Sequence, residues 1–89
     1  MTHKLKTIPC YFERVWDDEK NFEIRYDEDR GFQKGDKVIL REYERSKPTI
    51  DSHRYTGRQV IATIGFVTGY EQKENHVVFS LVDKRNSHE

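Results

Sequence analysis

The chain has 89 residues, which is enough for one small domain with one hydrophobic core. Its charged fraction of 36% exceeds its hydrophobic fraction of 34%, and its net charge of zero argues against bulk electrostatic attraction to nucleic acid. Five Phe, five Tyr and one Trp argue against an intrinsically disordered chain. We therefore predict a single folded domain over residues 1–89.

The first third of the chain predicts a short strand followed by a helix. Residues 4–7 alternate weakly between polar and apolar, and Pro9 suits the first turn of a helix, where its missing N–H is not needed. Apolar residues then recur at helical spacing up to residue 17, namely Tyr11, Phe12, Val15 and Trp16. This stripe predicts a short helix that packs on a sheet.

Residues 21–26 predict the second strand. Side chains alternate between the two faces of a strand, so Phe22, Ile24 and Tyr26 share one face. Glu23 and Arg25 share the other. We expect the apolar face to pack on the core. The charged face is typical either of a binding site for a polar ligand or of a solvated strand face.

The rest of the chain predicts three more strands. Residues 37–43 are apolar on both faces at their centre, as a closed or covered sheet requires. Residues 58–70 contain Gly65 and Gly69, which indicate a bend or a β-bulge. Residues 76–82 alternate as a final strand does.

The segments around these strands are polar. Residues 44–57 predict a long, mobile loop of the kind that often carries function, and residues 84–89 predict a flexible tail. We expect a mainly β (α+β) fold, a small and partly closed β-barrel of about five strands with one N-terminal helix packed against it.

The compartment follows from what the sequence lacks. The single Cys10 excludes an intramolecular disulfide and is typical of a reducing compartment. No apolar run approaches the roughly 18 residues of a membrane-spanning helix, and residues 1–6 lack the apolar segment of a signal peptide. These features predict a cytoplasmic protein that does not engage a membrane, and they leave the oligomeric state open.

The order of these elements resembles the ASCH domain of the PUA-like superfamily. The family motif is Gly-x-Lys-x-x-Glu-x-Arg, and this chain has Lys20, Glu23 and Arg25 at three of the four positions. Asp18 replaces the glycine, and we expect the turn to persist because Asp tolerates a left-handed backbone better than most residues. The similarity is closest to a branch of short bacterial and phage proteins, an ASCH-related domain of unknown function. It extends over nearly the whole chain through Leu5-Lys6, Pro9, Tyr11, Phe12, Asp29-Arg30, Phe32, Gly35-Asp36, Leu40, Glu42-Tyr43 and Tyr55-Thr56-Gly57-Arg58.

The resemblance implies a barrel with a cleft beside the helix, in which Lys20, Glu23 and Arg25 gather. It also implies binding of RNA or of a nucleotide or nucleoside, because the superfamily is associated with RNA. Some ASCH relatives are enzymes, including an amidohydrolase that removes the acetyl group from acetylcytidine. Its nucleophilic threonine corresponds to Glu23 here, so the chain departs from that chemistry.

Each candidate site residue has a functional and an ordinary interpretation. Lys20 contacts a phosphate or acts as a base, or it is a solvated lysine at a strand start. Glu23 accepts from the edge of a base, or it forms an ordinary salt bridge. Arg25 forks onto a phosphate or stacks on a base, or it pairs with a nearby glutamate. Lys6 is expected to border the same cleft, and Tyr55 is a candidate for stacking on a base or for packing.

Three functional hypotheses remain open. The first is a module that binds RNA or a nucleotide-like ligand, with the loop at residues 44–57 folding over it. The second is a small hydrolase acting on a modified nucleoside or on RNA, with Lys20 as base and Glu23 as its partner. The third is a protein-interaction module. The four histidines are scattered without ligand spacing, so we predict no metal and no cofactor.

Overall fold

A computed structural model describes residues 1–27, 30–45 and 54–88 of the protein. The strands form one mixed sheet that curls into a half-barrel. The predicted architecture, a mainly β domain with five strands and one N-terminal helix, is confirmed. Its elements are β1 (Thr2–Thr7), α1 (Pro9–Trp16), β2 (Phe22–Tyr26), β3 (Lys37–Tyr43), β4 (Tyr55–Thr68) and β5 (His76–His88).

The strand order in the sheet is β1-β3-β4-β5-β2. β1 pairs with β3 in parallel, and the other neighbours are antiparallel. Helix α1 lies in the crossover between β1 and β3, since parallel strands cannot be joined by a tight turn. Among the described residues there is no helix whose length and hydrophobicity would let it traverse a lipid bilayer.

The core lies between the inner face of the sheet and α1. The helix contributes Phe12 and Val15, both fully buried, as its apolar stripe predicts. Tyr11, from the same stripe, is exposed. The remaining core residues are Leu5, Phe32, Val38, Leu40, Val60, Ala62, Ile64, Phe79 and Leu81.

Strand β2 presents the opposite face to the core from the one predicted. Phe22, Ile24 and Tyr26 are 43%, 52% and 53% exposed, whereas Glu23 is only 3% exposed. The antiparallel register explains this result, because Glu23 lies opposite the core residue Phe79 and directly opposed residues share a face. Since side chains alternate with a period of two, the same pairing places the three apolar residues outside.

Residues 84–88, predicted to belong to a flexible tail, continue strand β5 instead. They pair with the first part of β4, and the register shifts where Asp83 adopts a φ of 53°. Such a bulge changes which side chains face inward. It turns Lys84 and Asn86 toward the C-terminus of α1.

These two side chains complete the hydrogen bonding of the helix end. Lys84 Nζ donates to the carbonyl oxygen of Val15 at 2.7 Å, and Asn86 Nδ2 donates to that of Trp16 at 3.0 Å. The last four carbonyls of a helix have no partner within the helix, and a cation there also complements the helix dipole. The polar end of β5 is therefore held by both the sheet and the helix.

Two other predicted features of the second half have different outcomes. The predicted bulge is present between Ile64 and Val67. A Cβ atom on Gly65 would lie 2.8 Å from Ser80 Oγ, so the neighbouring strand leaves no room for a side chain there.

The predicted loop at 44–57 ends earlier, since β4 begins at Tyr55, and its residues 46–53 lie outside the described residues.

The turn after α1 adopts the conformation expected from its sequence. Asp18 has a φ of 63°, which confirms the left-handed backbone at this position. The backbone N–H groups of Glu19 and Lys20 both donate to the carbonyl oxygen of Arg14, at 2.8 and 3.0 Å. Asp18 Oδ1 also accepts from Lys84 Nζ at 2.6 Å. This turn ends the helix and directs the chain to Lys20.

We expect Asp18→Val to lower the free energy of unfolding by about 1–2 kcal/mol, because a β-branched side chain clashes with its own backbone in the left-handed region. Asp18→Asn is the matched control, since it removes the same salt bridge to Lys84 but keeps a residue that tolerates this backbone. Urea unfolding measures both. Equal stability of the two variants would show that the backbone conformation at this position does not matter.

Candidate ligand-binding site

Lys20, Glu23 and Arg25 converge on one another. The Glu23 carboxylate accepts from Lys20 Nζ through Oε2, and from Arg25 Nε and Nη2 through Oε1 at 3.0 and 2.8 Å. The side chain of Glu23 is buried, while those of Lys20 and Arg25 retain 17% and 24% exposure. The cluster therefore carries a net positive charge at the boundary between core and solvent.

Arg25 also connects the two edges of the sheet. Its Nη1 donates to the carbonyl oxygen of Lys6 and its Nη2 donates to Thr7 Oγ1, both at 3.1 Å. β1 and β2 stand at opposite ends of the strand order, so no ladder joins them in the described sheet. A side chain bridges the gap between the two edges instead. The planar guanidinium suits this task because it carries five donors in a fixed geometry.

The three charged side chains line a recess of about 640 Å³, which we call the Glu23 recess. Lys6 borders it, as predicted from the sequence. Its remaining walls include the exposed apolar side chains Tyr11, Phe22 and Ile24. The apolar face of β2 that was expected in the core thus supplies part of the wall of this recess.

Tyr55 lies elsewhere. It lines a second recess of about 450 Å³, which we call the Arg41 recess and which shares Lys6 and Arg25 with the first. The guanidinium carbon of Arg41 lies 3.9 Å from the centre of the Tyr55 ring, and the Tyr43 ring meets Tyr55 edge-on at 5.0 Å. The structure therefore brings Lys6, Lys20, Glu23 and Arg25 together but separates Tyr55 from the Glu23 recess.

A second buried glutamate was not predicted from the sequence. Glu42 lies on the inner face of β3 and accepts from Arg58 Nε through Oε1 and from Arg58 Nη2 through Oε2, both at 2.9 Å. Thr56 Oγ1 donates to Glu42 Oε1 at 2.6 Å. The period of two along Lys37–Tyr43 was a usable signal, since it places Glu42 on the same face as the core residues Val38 and Leu40.

The Glu42 cluster joins the helix to the sheet. Arg58 Nη2 also donates to Glu13 Oε2 on α1 at 2.6 Å, and its guanidinium lies over the Trp16 ring at 4.9 Å. Hydrogen bonds from Arg58 hold the pKa of Glu42 below its usual range despite burial, and Thr56 adds to this effect. Hydrogen bonds to Glu42 and Glu13 in turn raise the pKa of Arg58. Because its charges are paired within the protein, this cluster stabilises the fold.

The chemistry available in the Glu23 recess is hydrogen bonding beside an apolar wall. An ammonium group has three donors, and Lys20 uses one of them on Glu23, which leaves others for a ligand oxygen. Arg25 directs four of its five N–H donors at Glu23, Lys6 and Thr7. Across residues 1–27, 30–45 and 54–88, no three His, Cys, Asp or Glu side chains gather as a metal ion would require.

We expect Arg25→Lys to lower the free energy of unfolding by about 1–2 kcal/mol, because a lysine cannot reach Glu23, Lys6 and Thr7 at once. Arg14→Lys is the matched control. Arg14 pairs with Glu19 on the surface, where the side chains are 63% and 60% exposed, so its replacement should change stability by less than about 0.5 kcal/mol. Equal urea midpoints for the two variants would contradict the bridging role of Arg25.

We expect the stability of the protein to fall in acid partly through Glu42. Its pKa is lowered from the usual 4.5 in the folded state, so its contribution is present above that value and is lost as the pH falls through the lower folded pKa. Glu42→Gln should lower the free energy of unfolding at neutral pH by about 2 kcal/mol and flatten its decline between about pH 5 and pH 3. The exposed Glu74→Gln is the control. Asp36, whose pKa is lowered mainly by His3, titrates in all three proteins.

Comparison with known proteins gives a family and no curated relative. The chain matches no curated protein at a significant level. A family model described as a domain of unknown function, DUF3850, matches residues 2–81. This span contains every residue that lines the Glu23 recess and the Arg41 recess. Because the match covers most of the chain, the protein belongs to the DUF3850 family.

Proposed function

We propose that this domain binds RNA or a nucleotide-like ligand in the Glu23 recess. The observation that carries the proposal is the placement of a paired Lys20–Glu23–Arg25 cluster beside exposed apolar side chains in one concave site. Ligand sites of this kind combine apolar walls with a few polar groups that fix orientation. A nucleobase, which is a flat ring with a polar edge, matches both parts.

Of the three polar side chains, Lys20 contacts the ligand, whereas Glu23 and Arg25 hold Lys20 in position. Lys20 keeps donors that are not used by Glu23, so it is the group we assign to a phosphate or base oxygen. Glu23 accepts from both cations, which fixes the position of Lys20. Arg25 has its donors directed at Glu23 and β1, so we assign it a positioning role rather than the phosphate contact expected from sequence.

The apolar wall supplies a surface for stacking. Phe22 and Tyr11 are 43% and 55% exposed and line the Glu23 recess together, and grouped exposed apolar side chains are typical of a binding groove. Lys20 Nζ lies 4.9 Å from the centre of the Phe22 ring, so the stacking surface and the donor are adjacent. Aromatic faces of this kind hold unstacked bases in proteins that bind single-stranded RNA.

The proposal extends to the class of domain and its location. The motif at Asp18, Lys20, Glu23 and Arg25, with its left-handed turn, supports placing the domain with the ASCH domains of the PUA-like superfamily. The exposed free thiol of Cys10 supports a reducing, cytoplasmic compartment, because exposed thiols oxidise elsewhere.

We expect Lys20→Gln and Phe22→Ser each to weaken binding about tenfold, since each removes one of the two kinds of contact. Fluorescence anisotropy with a labelled ten-nucleotide oligouridine and an NMR titration with uridine monophosphate measure the affinities. Lys73→Gln, which removes an exposed lysine from the turn between β4 and β5, is the control for loss of charge.

Two results would reject this function. One is the absence of binding by the wild-type protein to the oligonucleotide and to the mononucleotide. The other is an unchanged affinity in both Lys20→Gln and Phe22→Ser, with circular dichroism showing that both are folded. Release of product from a panel of acylated nucleosides would instead identify a hydrolase.

A further inference from the structure

The Arg41 recess is lined by more basic side chains than the zero net charge of the chain would suggest. Its described lining includes Lys4, Lys6, Arg25, Arg30 and Arg41, and it includes no carboxylate. The whole chain has equal numbers of basic and acidic residues, 16 of each. Over the described residues, a domain of zero net charge therefore has a concave surface lined by charges of a single sign, which attracts anions through the local field rather than the net charge.

Arg25 pairs with Glu23, but the other four cations of the Arg41 recess have no acidic partner among the described residues. Within the described ranges, Lys4, Lys6, Arg30 and Arg41 form no salt bridge. Among the described residues, the partner of Arg30 Nη1 is the carbonyl oxygen of Lys4, at 3.4 Å. Like charges gathered in a recess repel one another, so a bound anion would relieve a repulsion that the described part of the fold leaves in place.

The sheet register creates this surface. Lys4 and Lys6 lie on the outer face of β1, and the parallel pairing sets Lys6 opposite Arg41 of β3. A register shift in β3 between Arg41 and Tyr43 then brings Arg41 over the ring of Tyr55. Residues from four strands, β1 to β4, and from the segment after β2 meet at one place.

The stacked side chains distinguish this surface from a simple patch of lysines. The Arg41 guanidinium lies 3.9 Å from the centre of the Tyr55 ring, and Lys6 Nζ lies 4.8 Å from that of Tyr43. Guanidinium planes and tyrosine rings both accept a stacked nucleobase. An inorganic anion has no flat ring to stack on them, and an acidic peptide does not require one. The combination favours a ligand that has phosphates and flat rings.

We propose that the Arg41 recess binds the phosphodiester chain of a single-stranded nucleic acid, one of whose nucleotides occupies the Glu23 recess. The two recesses share Lys6 and Arg25, so a strand can pass from one to the other without leaving the surface. This inference rests on the proposed function of the Glu23 recess. It adds a second subsite, its phosphate chemistry and the requirement that a ligand be longer than one nucleotide to occupy both recesses.

The test compares Lys4→Gln/Arg41→Gln with the control Lys34→Gln/Lys73→Gln, which removes the same charge from exposed positions outside both recesses. Affinity for the labelled ten-nucleotide oligouridine is measured as a function of salt. Each phosphate contact contributes about 0.7 to the slope of log affinity against log salt for a single strand. We expect the first variant to lose about 1.4 from this slope and about tenfold in affinity at low salt, and the control to lose neither. Uridine monophosphate, which fits the Glu23 recess alone, should bind both variants within about twofold of wild type.

Three results would overturn the inference. A slope equal to that of the control would show that the Arg41 recess makes no phosphate contact. Equal loss of mononucleotide binding would show one site rather than two. Inorganic polyphosphate that competes as well as the oligonucleotide would show a general polyanion site. If Lys20→Gln binds both ligands like wild type while Lys4→Gln/Arg41→Gln loses the oligonucleotide, the function proposed for the Glu23 recess fails, and the Arg41 recess alone is a phosphate site.

Discussion

A buried carboxylate on an edge strand determines how this half-barrel closes. Glu23 lies on the inner face of β2, and it can be buried there because Lys20 and Arg25 donate to its two oxygens. A buried charge without such partners would destabilise the fold by several kcal/mol. The same guanidinium bonds to β1, so the pairing that neutralises Glu23 also connects the two edges of the sheet. The contacts of Glu23 with Lys20 and Arg25 therefore set the orientation of β2, connect the two edges of the sheet and form part of the wall of the Glu23 recess.

Three of the charge groups among the described residues differ in how far they are compensated within the protein. The Glu42 cluster is balanced by Arg58 and packed under the helix, so it contributes to the fold. The cluster at Glu23 is paired but keeps donors directed at a recess. Apart from Arg25, which pairs with Glu23, the cations of the Arg41 recess have no described counterion, so this surface is attractive to an anion. Charges that are paired within the protein thus stabilise the fold, whereas charges without a described partner are available to a ligand.

Local signals in the sequence predicted much of the fold. Residues 37–43 form a strand with the predicted bounds, and the helix ends within one residue of its predicted end. Asp18 adopts the left-handed backbone, and the bulge near Gly65 is present. The gathering of Lys20, Glu23 and Arg25 was also predicted, through the motif. The choice of face for β2 and the pairing of residues 84–88 were predicted wrongly, because both depend on the partner strand β5 and its register.

The sequence by itself determined which segments become strands and helix, since period, capping and glycine positions act over a few neighbouring residues. It also determined the spacing of Lys20, Glu23 and Arg25, which allows their side chains to converge. Only the tertiary structure decided which face of β2 is buried, because the alternation of Phe22–Tyr26 is equally compatible with both faces until Phe79 is set opposite Glu23. It alone separated Tyr55 from the Glu23 recess and assembled the cations of the Arg41 recess, because those residues are distant in the chain and meet only through strand pairing.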